Sequence, residues 1–442
     1  MLKQLFSKSE FTKNTFTLII GTVIAQSIPL LLHPVLRRIY APEDFGAMSV
    51  YLSIFSMLTI VLSLRYEATI VLPKNNNEAA NILGLTFVVN ISITLVAFLT
   101  VLLFKEEIAE LLNFPEKYSA YLYFLPLGAS LFALYQSINF WLIRQKAFKA
   151  STSNKIIRRV VEGATQLGLG LLKIPGGLIS GDIVGNLANV IAGIRQSLKK
   201  VVTDNDKTYY LTGPIKNTWT LERFITKKKM AYAFKRYIEY PKYNVIPTLL
   251  STAATTLPFL FINKMYGPDT LGYIDLSRLV LSIPLIFISA TISQVFFQQT
   301  TEKKHLGQSI HKDCMNILHI LLAITAMEII IIFTFGTDLF AFVFSEKYAL
   351  SGDYAKILML SFILNFIGST FSSIFITFEK IKYNSIWQVL YFAAICSLAL
   401  IDDLGIISFL KLYVLIEVIM HSLYLFMVFW IVRNYENKIC QE

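Results

Sequence analysis

Arg37-Arg38-Ile39-Tyr40-Ala41-Pro42-Glu43-Asp44-Phe45-Gly46 separates two long apolar runs. Two arginines close the run before it, and Pro-Glu-Asp opens the run after it. Proline is favoured at the first position of a helix, where its missing N–H leaves no bond unmade. Acidic side chains in a first turn suit the positive end of the helix dipole. The stretch therefore predicts a tight connection into a new helix. Tyr266-Gly267-Pro268-Asp269-Thr270-Leu271-Gly272 returns the same Tyr, Pro, acid and Gly at the same spacing.

The runs on either side decide the class. Mean hydropathy is +0.58. Of 442 residues, 55% are apolar and 16% charged, where a soluble domain carries about 25% charged. The apolar stretches exceed the roughly 10 residues of a barrel strand. The expectation is an all-α integral membrane protein. Its helices are expected over 15–39, 45–64, 82–104, 120–143, 156–172 and 178–194, then over 245–265, 271–297, 317–335, 354–378, 385–401 and 406–432. That makes twelve transmembrane helices in two parallel six-helix lobes, 1–200 and 243–442, joined by a basic linker at 201–242.

Loop charge sets the orientation. Arg144, Lys146, Lys149, Lys155, Arg158 and Arg159 follow the fourth helix, Lys303, Lys304 and Lys312 the eighth, and Lys380 and Lys382 the tenth. Glu106, Glu107, Glu110 and Glu116 follow the third, and Asp402 and Asp403 the eleventh. Both termini are expected in the cytoplasm, with the first span retained rather than cleaved. The net charge of +11 reads as inside-loop charge, and no nucleic-acid partner is expected. Three scattered cysteines and five scattered histidines suggest neither a disulfide framework nor a metal site. An amphipathic helix is expected near Leu221–Tyr237 of the linker, lying on the anionic inner leaflet.

The repeat extends beyond the opening stretch. Glu116-Lys117-Tyr118 and Glu346-Lys347-Tyr348 precede the fourth and tenth helices. Gln145-Lys146-Ala147-Phe148-Lys149 and Glu379-Lys380-Ile381-Lys382-Tyr383 follow them. Parallel six-helix repeats are a plan used by alternating-access transporters.

Leu36–Gly46, then Leu64-Arg65-Tyr66-Glu67-Ala68-Thr69-Ile70-Val71-Leu72-Pro73, then Glu78-Ala79-Ala80 resemble polysaccharide flippases. These belong to the multidrug/oligosaccharidyl-lipid/polysaccharide (MOP) exporter superfamily, and the resemblance is especially to Wzx-type O-antigen flippases. The resemblance is strongest over about the first hundred residues. It implies a MATE-like pair of lobes around a central cavity in the bacterial inner membrane. It implies transport of an undecaprenyl-pyrophosphate-linked oligosaccharide from the inner to the outer leaflet. It also implies a polysaccharide polymerase and glycosyltransferases as partners. A monomer with no cofactor and no enzymatic activity is expected. No nucleotide-binding motif occurs. A cation-coupled multidrug exporter shares the fold and is the alternative.

A sugar pyrophosphate crossing the bilayer needs cations at membrane depth, where charge is costly and marks function. Arg278 lies ten residues past Pro268, roughly 15 Å along a helix, near the middle of a core about 30 Å thick. Its planar fork suits phosphate; the alternative is an ion pair with Asp275. Arg65 is expected near the inner surface, as a capture site or as a partner of Glu67. Arg37 and Arg38 end the first helix, as exit-site cations or as dipole caps. Lys411 completes the candidate cations. Glu328 and Glu417, with Asp275, are candidates for ion coupling; the alternative is pairing with neighbouring groups. Pro29 and Pro34, Pro247 and Pro258, and Pro284 predict bends in the first, seventh and eighth helices.

Overall fold

A computed structural model describes residues 10–198, 202–204, 207–209, 225–401 and 404–439. Lys199, Lys200, Asp402, Asp403 and most of the central segment lie outside them. The described residues are overwhelmingly helical. They agree with the all-α expectation, and beside the helices the central segment holds a short antiparallel hairpin. Its strands are β1 (Val202–Asp204) and β2 (Lys207–Tyr209), with Val202 opposite Tyr209. β-Branched and aromatic residues favour this local pairing.

The chain forms two compact units. The boundary falls between Thr252 and Ala253, inside a helix rather than at 242–243. The first unit contains α1 (Glu10–Ile39), α2 (Pro42–Ser63), α3 (Asn76–Leu111), α4 (Leu125–Arg144), α5 (Phe148–Leu171), α6 (Gly177–Leu198) and the short α7 (Lys227–Arg236). α8 (Ile246–His305) begins just before the boundary. The second unit continues with α9 (His311–Phe344), α10 (Ala349–Thr370), α11 (Ser373–Thr377), α12 (Ile381–Cys396) and α13 (Ile406–Ile439).

Every expected span falls on helix, but only nine stretches among the described residues are long and apolar enough to cross a membrane by themselves. α1, α5 and the second half of α8 are outside the nine. α5 fails because Lys149, Lys155, Arg158, Arg159 and Glu162 lie within it, not in a preceding loop. The seventh and eighth expected helices form one element kinked at Gly267, where φ is 86° and ψ 168°. Only glycine adopts that conformation without strain, and the following Pro268 disfavours continued helix at Gly267.

The opening stretch behaves as its residues dictate. Ala41 is extended, and its N–H donates to Asp44 Oδ2 at 2.7 Å. Tyr118 donates to the other oxygen of Asp44, and Lys117 bonds Glu43 at 2.5 Å. The repeated loop signatures also become repeated structure. Tyr118 and Tyr348 are both buried in 3₁₀ turns. Tyr40 donates to Gln166 O at 2.7 Å, and Tyr266 donates to Leu404 O at 2.8 Å. Lys146 (φ 52°) and Glu379 (φ 58°) sit in the left-handed region after α4 and α11. In both, the next N–H reaches back five residues, Ala147 to Leu142 O and Lys380 to Phe375 O, each at 2.8 Å. This is the Schellman ending, which satisfies the last carbonyls of a helix.

Within the first unit α5 packs closely on α6 and on α1. Gly185 makes this possible, since a Cβ there would lie 2.9 Å from Glu162 Cβ and 3.1 Å from Arg158 O. Small residues at such contacts let helices approach where lipid removes any hydrophobic drive. In the second unit α10 packs on α9 and α13, and α12 on α13.

Candidate functional site

Three elements of the second unit bring the chemistry together. α8 supplies Asp275 and Arg278, α12 supplies Trp387 and Tyr391, and α13 supplies Tyr413, Glu417 and His421. Positions 413, 417, 421 and 424 follow one face of α13 at three- and four-residue spacing, and all four are buried. That periodicity places them in a single row.

Glu417 sits at the centre. Tyr391 donates to its Oε1 at 2.6 Å, and Tyr413 also bonds its carboxylate. His421 Nδ1 lies 3.3 Å from Oε2 and 3.0 Å from the Glu417 carbonyl. Trp387 stacks on Tyr391 with centroids 5.1 Å apart and meets His421 edge-on at 5.7 Å. Its indole N–H donates to Met420 O at 2.7 Å. The carboxylate is thus held by hydroxyl donors inside an aromatic wall, which satisfies a buried charge by hydrogen bonds.

Arg278 borders the same space. Its Nη2 is 3.2 Å from Asp275 Oδ1, and its guanidinium carbon lies 4.4 Å from the Phe259 ring centroid. Arg278 and Phe259, with Thr255, Ser361, Phe362, Asn365, Tyr391, Tyr413 and Glu417, line a cavity of ≈ 120 Å³. Phe362 and Asn365 also line a larger space of ≈ 360 Å³, whose other walls include Ser282, Ser289, Ser293 and Ser369. The two spaces share Phe362 and Asn365, with a cation and an acid in the smaller one and four serines set among Leu285, Ile286 and Phe366 in the larger. Such a lining can hold an anionic group beside a polyhydroxylated one.

The remaining candidates separate. Lys411 is exposed on another face of α13 and lines neither space. Six residues from Glu417, it is turned about 120° away from it. Glu328 is half-buried on α9, lines neither space, and its Oε2 has no hydrogen-bond partner among the described residues. Arg37 is fully buried, its guanidinium stacked 3.4 Å over the Phe45 ring, whereas Arg38 is exposed. The pair is therefore split by one residue of helical rotation, and Arg37 is occupied by packing.

Arg65 turns the chain between α2 and the 3₁₀ turn Tyr66–Val71. It and Leu64 are both left-handed, at φ 61° and 46°. It pairs with Glu67 at 3.6 Å. Glu67 lies outside the membrane-spanning helices, and burial pushes its carboxyl up, with Arg65 only partly opposing. Around this turn Arg144 donates to Asn76 Oδ1 at 3.1 Å and to Ile70 O and Val71 O at 3.3 Å. The Arg65–Pro73 block thus serves chiefly as a braced corner.

A second charged cluster lies in the first unit. Arg158 Nη2 pairs with Asp182 Oδ1 at 3.0 Å and lies near Phe132, 4.9 Å from its centroid. Arg159 pairs with Glu162 at 2.9 Å, and Asn186 donates to Asp182 Oδ2 at 3.0 Å. The sequence signal was present in the i,i+3 and i,i+4 spacing of Arg158, Arg159 and Glu162, but counting those arginines as loop charge hid it. Tyr391, Tyr413, His421 and Asn365 gave no signal, because nothing in one sequence separates them from other apolar-face residues. Among the described residues no group of acids, histidines and cysteines could hold a metal ion.

Residues 11–297 match the profile of the family described as "Polysaccharide biosynthesis protein". No curated protein matches the sequence. The fold is similar to an inward-facing multidrug resistance MATE family transporter of the MOP superfamily, at TM-score 0.68 and 12% identity, covering 94% of this chain and 99% of that one. It is similar to the Vibrio cholerae MATE transporter VcmN in a mutant form, at TM-score 0.58 and 15% identity over 97% and 96%. It is also similar to a MOP superfamily transporter from Pyrococcus furiosus, at 0.56 and 12% over 96% of each chain. That protein's reversed pocket polarity is described as suggesting a different function. At these identities the likeness shows the fold.

Proposed function

The chain belongs to the polysaccharide biosynthesis protein family, and from that premise we propose that it is a flippase for a lipid-linked oligosaccharide bearing a pyrophosphate. The protein is a multi-pass membrane transporter of the MOP fold. In the proposed arrangement twelve spans form two lobes, both termini are cytoplasmic, and the membrane is the bacterial inner one. The substrate moves from the inner to the outer leaflet by alternating access.

One observation carries this reading. Arg278 lines a cavity that shares Phe362 and Asn365 with a larger space in which four serines stand among apolar side chains. Guanidinium suits a pyrophosphate because two parallel N–H bonds match two phosphate oxygens. Asn365 and the serines suit sugar hydroxyls, and the aromatic wall suits the apolar face of a sugar ring.

The multidrug-exporter reading draws on Glu417, an acid in the same cavity. Arg278 in that cavity argues against it, because a site for cationic drugs would repel itself there.

The test is direct. The purified chain is placed in vesicles containing a fluorescent undecaprenyl-pyrophosphate oligosaccharide, and the dye on the inner leaflet becomes accessible to an external quencher as transport proceeds. The protein should accelerate this over empty vesicles. A rate equal to that of empty vesicles, with the protein folded and inserted, removes the proposal.

A further inference from the structure

α7 is the part of the central segment that folds back onto the first unit. Its inner face is fully accounted for. Ala233 and Tyr237 are buried against Tyr66, Ile70, Ala79, Ala80, Ile82, Leu85 and Trp141, with Ile225 and Met230 packed alongside. Tyr66 donates to Phe234 O at 3.1 Å, and Thr226 N–H donates to Asn81 Oδ1 at 2.9 Å. Glu78 receives both Tyr237, at 3.2 Å, and Arg236, at 3.0 Å. The Tyr66 and Glu78 that carried the flippase resemblance therefore hold this helix in place.

Among the described residues the opposite face has no such partner. Lys227, Lys228, Lys229 and Lys235 are all exposed. At 100° per residue, Lys228 and Lys235 point roughly 140–160° away from Ala233. Between them stands Tyr232, which is 59% exposed, with Phe234 at 40% and Ile238 at 41% close by. From Ile225 to Val245 there is one acid, Glu239. A solvated helix has no reason to expose aromatic and branched side chains among its lysines. A helix at the headgroup level of a bilayer does, because the cations meet phosphates while the rings enter the acyl boundary.

Depth supports the same conclusion. α7 rests on the first turns of α3 and on the last turn of α4, the ends of two membrane spans. Span ends lie at the edge of the hydrocarbon layer, where headgroups begin. We propose that the outward face of α7 binds the headgroups of anionic phospholipids and so pins this end of the first unit to the membrane surface.

The experiment uses the full chain, purified in mild detergent with equal amounts of phosphatidylglycerol and phosphatidylcholine, and native mass spectrometry counts the lipids retained. The wild type should keep phosphatidylglycerol in preference. A lysine near an anionic surface contributes about a five-fold preference. Replacing Lys227, Lys228 and Lys235 by Gln should therefore lower it by up to on the order of 100-fold. The matching Lys→Arg triple variant should retain it. At ~1 M salt, where screening falls to about 3 Å, the wild type should lose its preference. Two results would overturn the proposal: an unchanged preference in the folded Gln variant, or a wild-type preference that survives high salt. Displacement of phosphatidylglycerol by inorganic pyrophosphate would also overturn it, by showing a phosphate pocket rather than a membrane-binding face. None of these readouts requires transport, so they stand or fall apart from the flippase reading.

Discussion

Replacing Arg278 by Ala separates a substrate contact from a structural ion pair. The side chain is tied to Asp275 one helical turn earlier, and 33% of it is exposed to the cavity. A pair of that kind is worth about 0.3–0.5 kcal/mol. If pairing were its whole role, its loss would change transport less than about three-fold. A guanidinium donating to a phosphate contributes about 1.5–3 kcal/mol, so on the substrate reading Arg278→Ala lowers the rate by about 10- to 150-fold. Arg278→Lys keeps the charge but not the fork, and should fall between. Asp275→Asn in the Arg278→Ala background removes the orphaned acid. If that double variant recovers wild-type transport, Arg278 acts only on Asp275. The assay is the initial rate of quencher accessibility in vesicles, normalised to folded protein by thermal unfolding. A rate for Arg278→Ala within three-fold of wild type, or recovery in the double variant, refutes the assignment.

Two further outcomes follow from other parts of the fold. Asp182→Ala strands Arg158, whose side chain is 14% exposed; breaking a buried pair costs about 3–5 kcal/mol. The loss should lie toward the lower end, because Glu162 remains 3.9 Å from Arg158 Nε. A lowered unfolding temperature, recovered in Asp182→Ala/Arg158→Met, would match; an unchanged one would not. Glu67 holds its proton more tightly folded than unfolded, because burial raises its carboxyl. Its contribution is complete below the ordinary Glu range near pH 4 and is lost as pH rises through the raised value. The wild type should therefore lose stability relative to Glu67→Gln as pH rises above the ordinary Glu range. Parallel stability curves for the two proteins would contradict this.

The class of the protein was legible because a bilayer imposes long apolar helices on any chain that crosses it, and length and hydropathy record that demand directly. The doubling was legible for a similar reason. The turns at Ala41–Pro42 and Gly267–Pro268 need particular residues at particular places. Local backbone chemistry is written in local sequence.

Tertiary structure alone decided what each charge does. Arg37 and Arg38 are adjacent in sequence, yet one is buried under a ring and the other is exposed. Lys411 and Glu417 share a helix but not a face. Tyr391 and Glu417 are 26 residues apart, yet the Tyr391 hydroxyl donates to Glu417 Oε1 at 2.6 Å. The block most like a flippase became a corner and a seat for α7, because Tyr66 finds Phe234 far along the chain. Sequence records the periodicity and turns of each helix; which faces meet is fixed by packing between distant segments, and one sequence carries no measure of that.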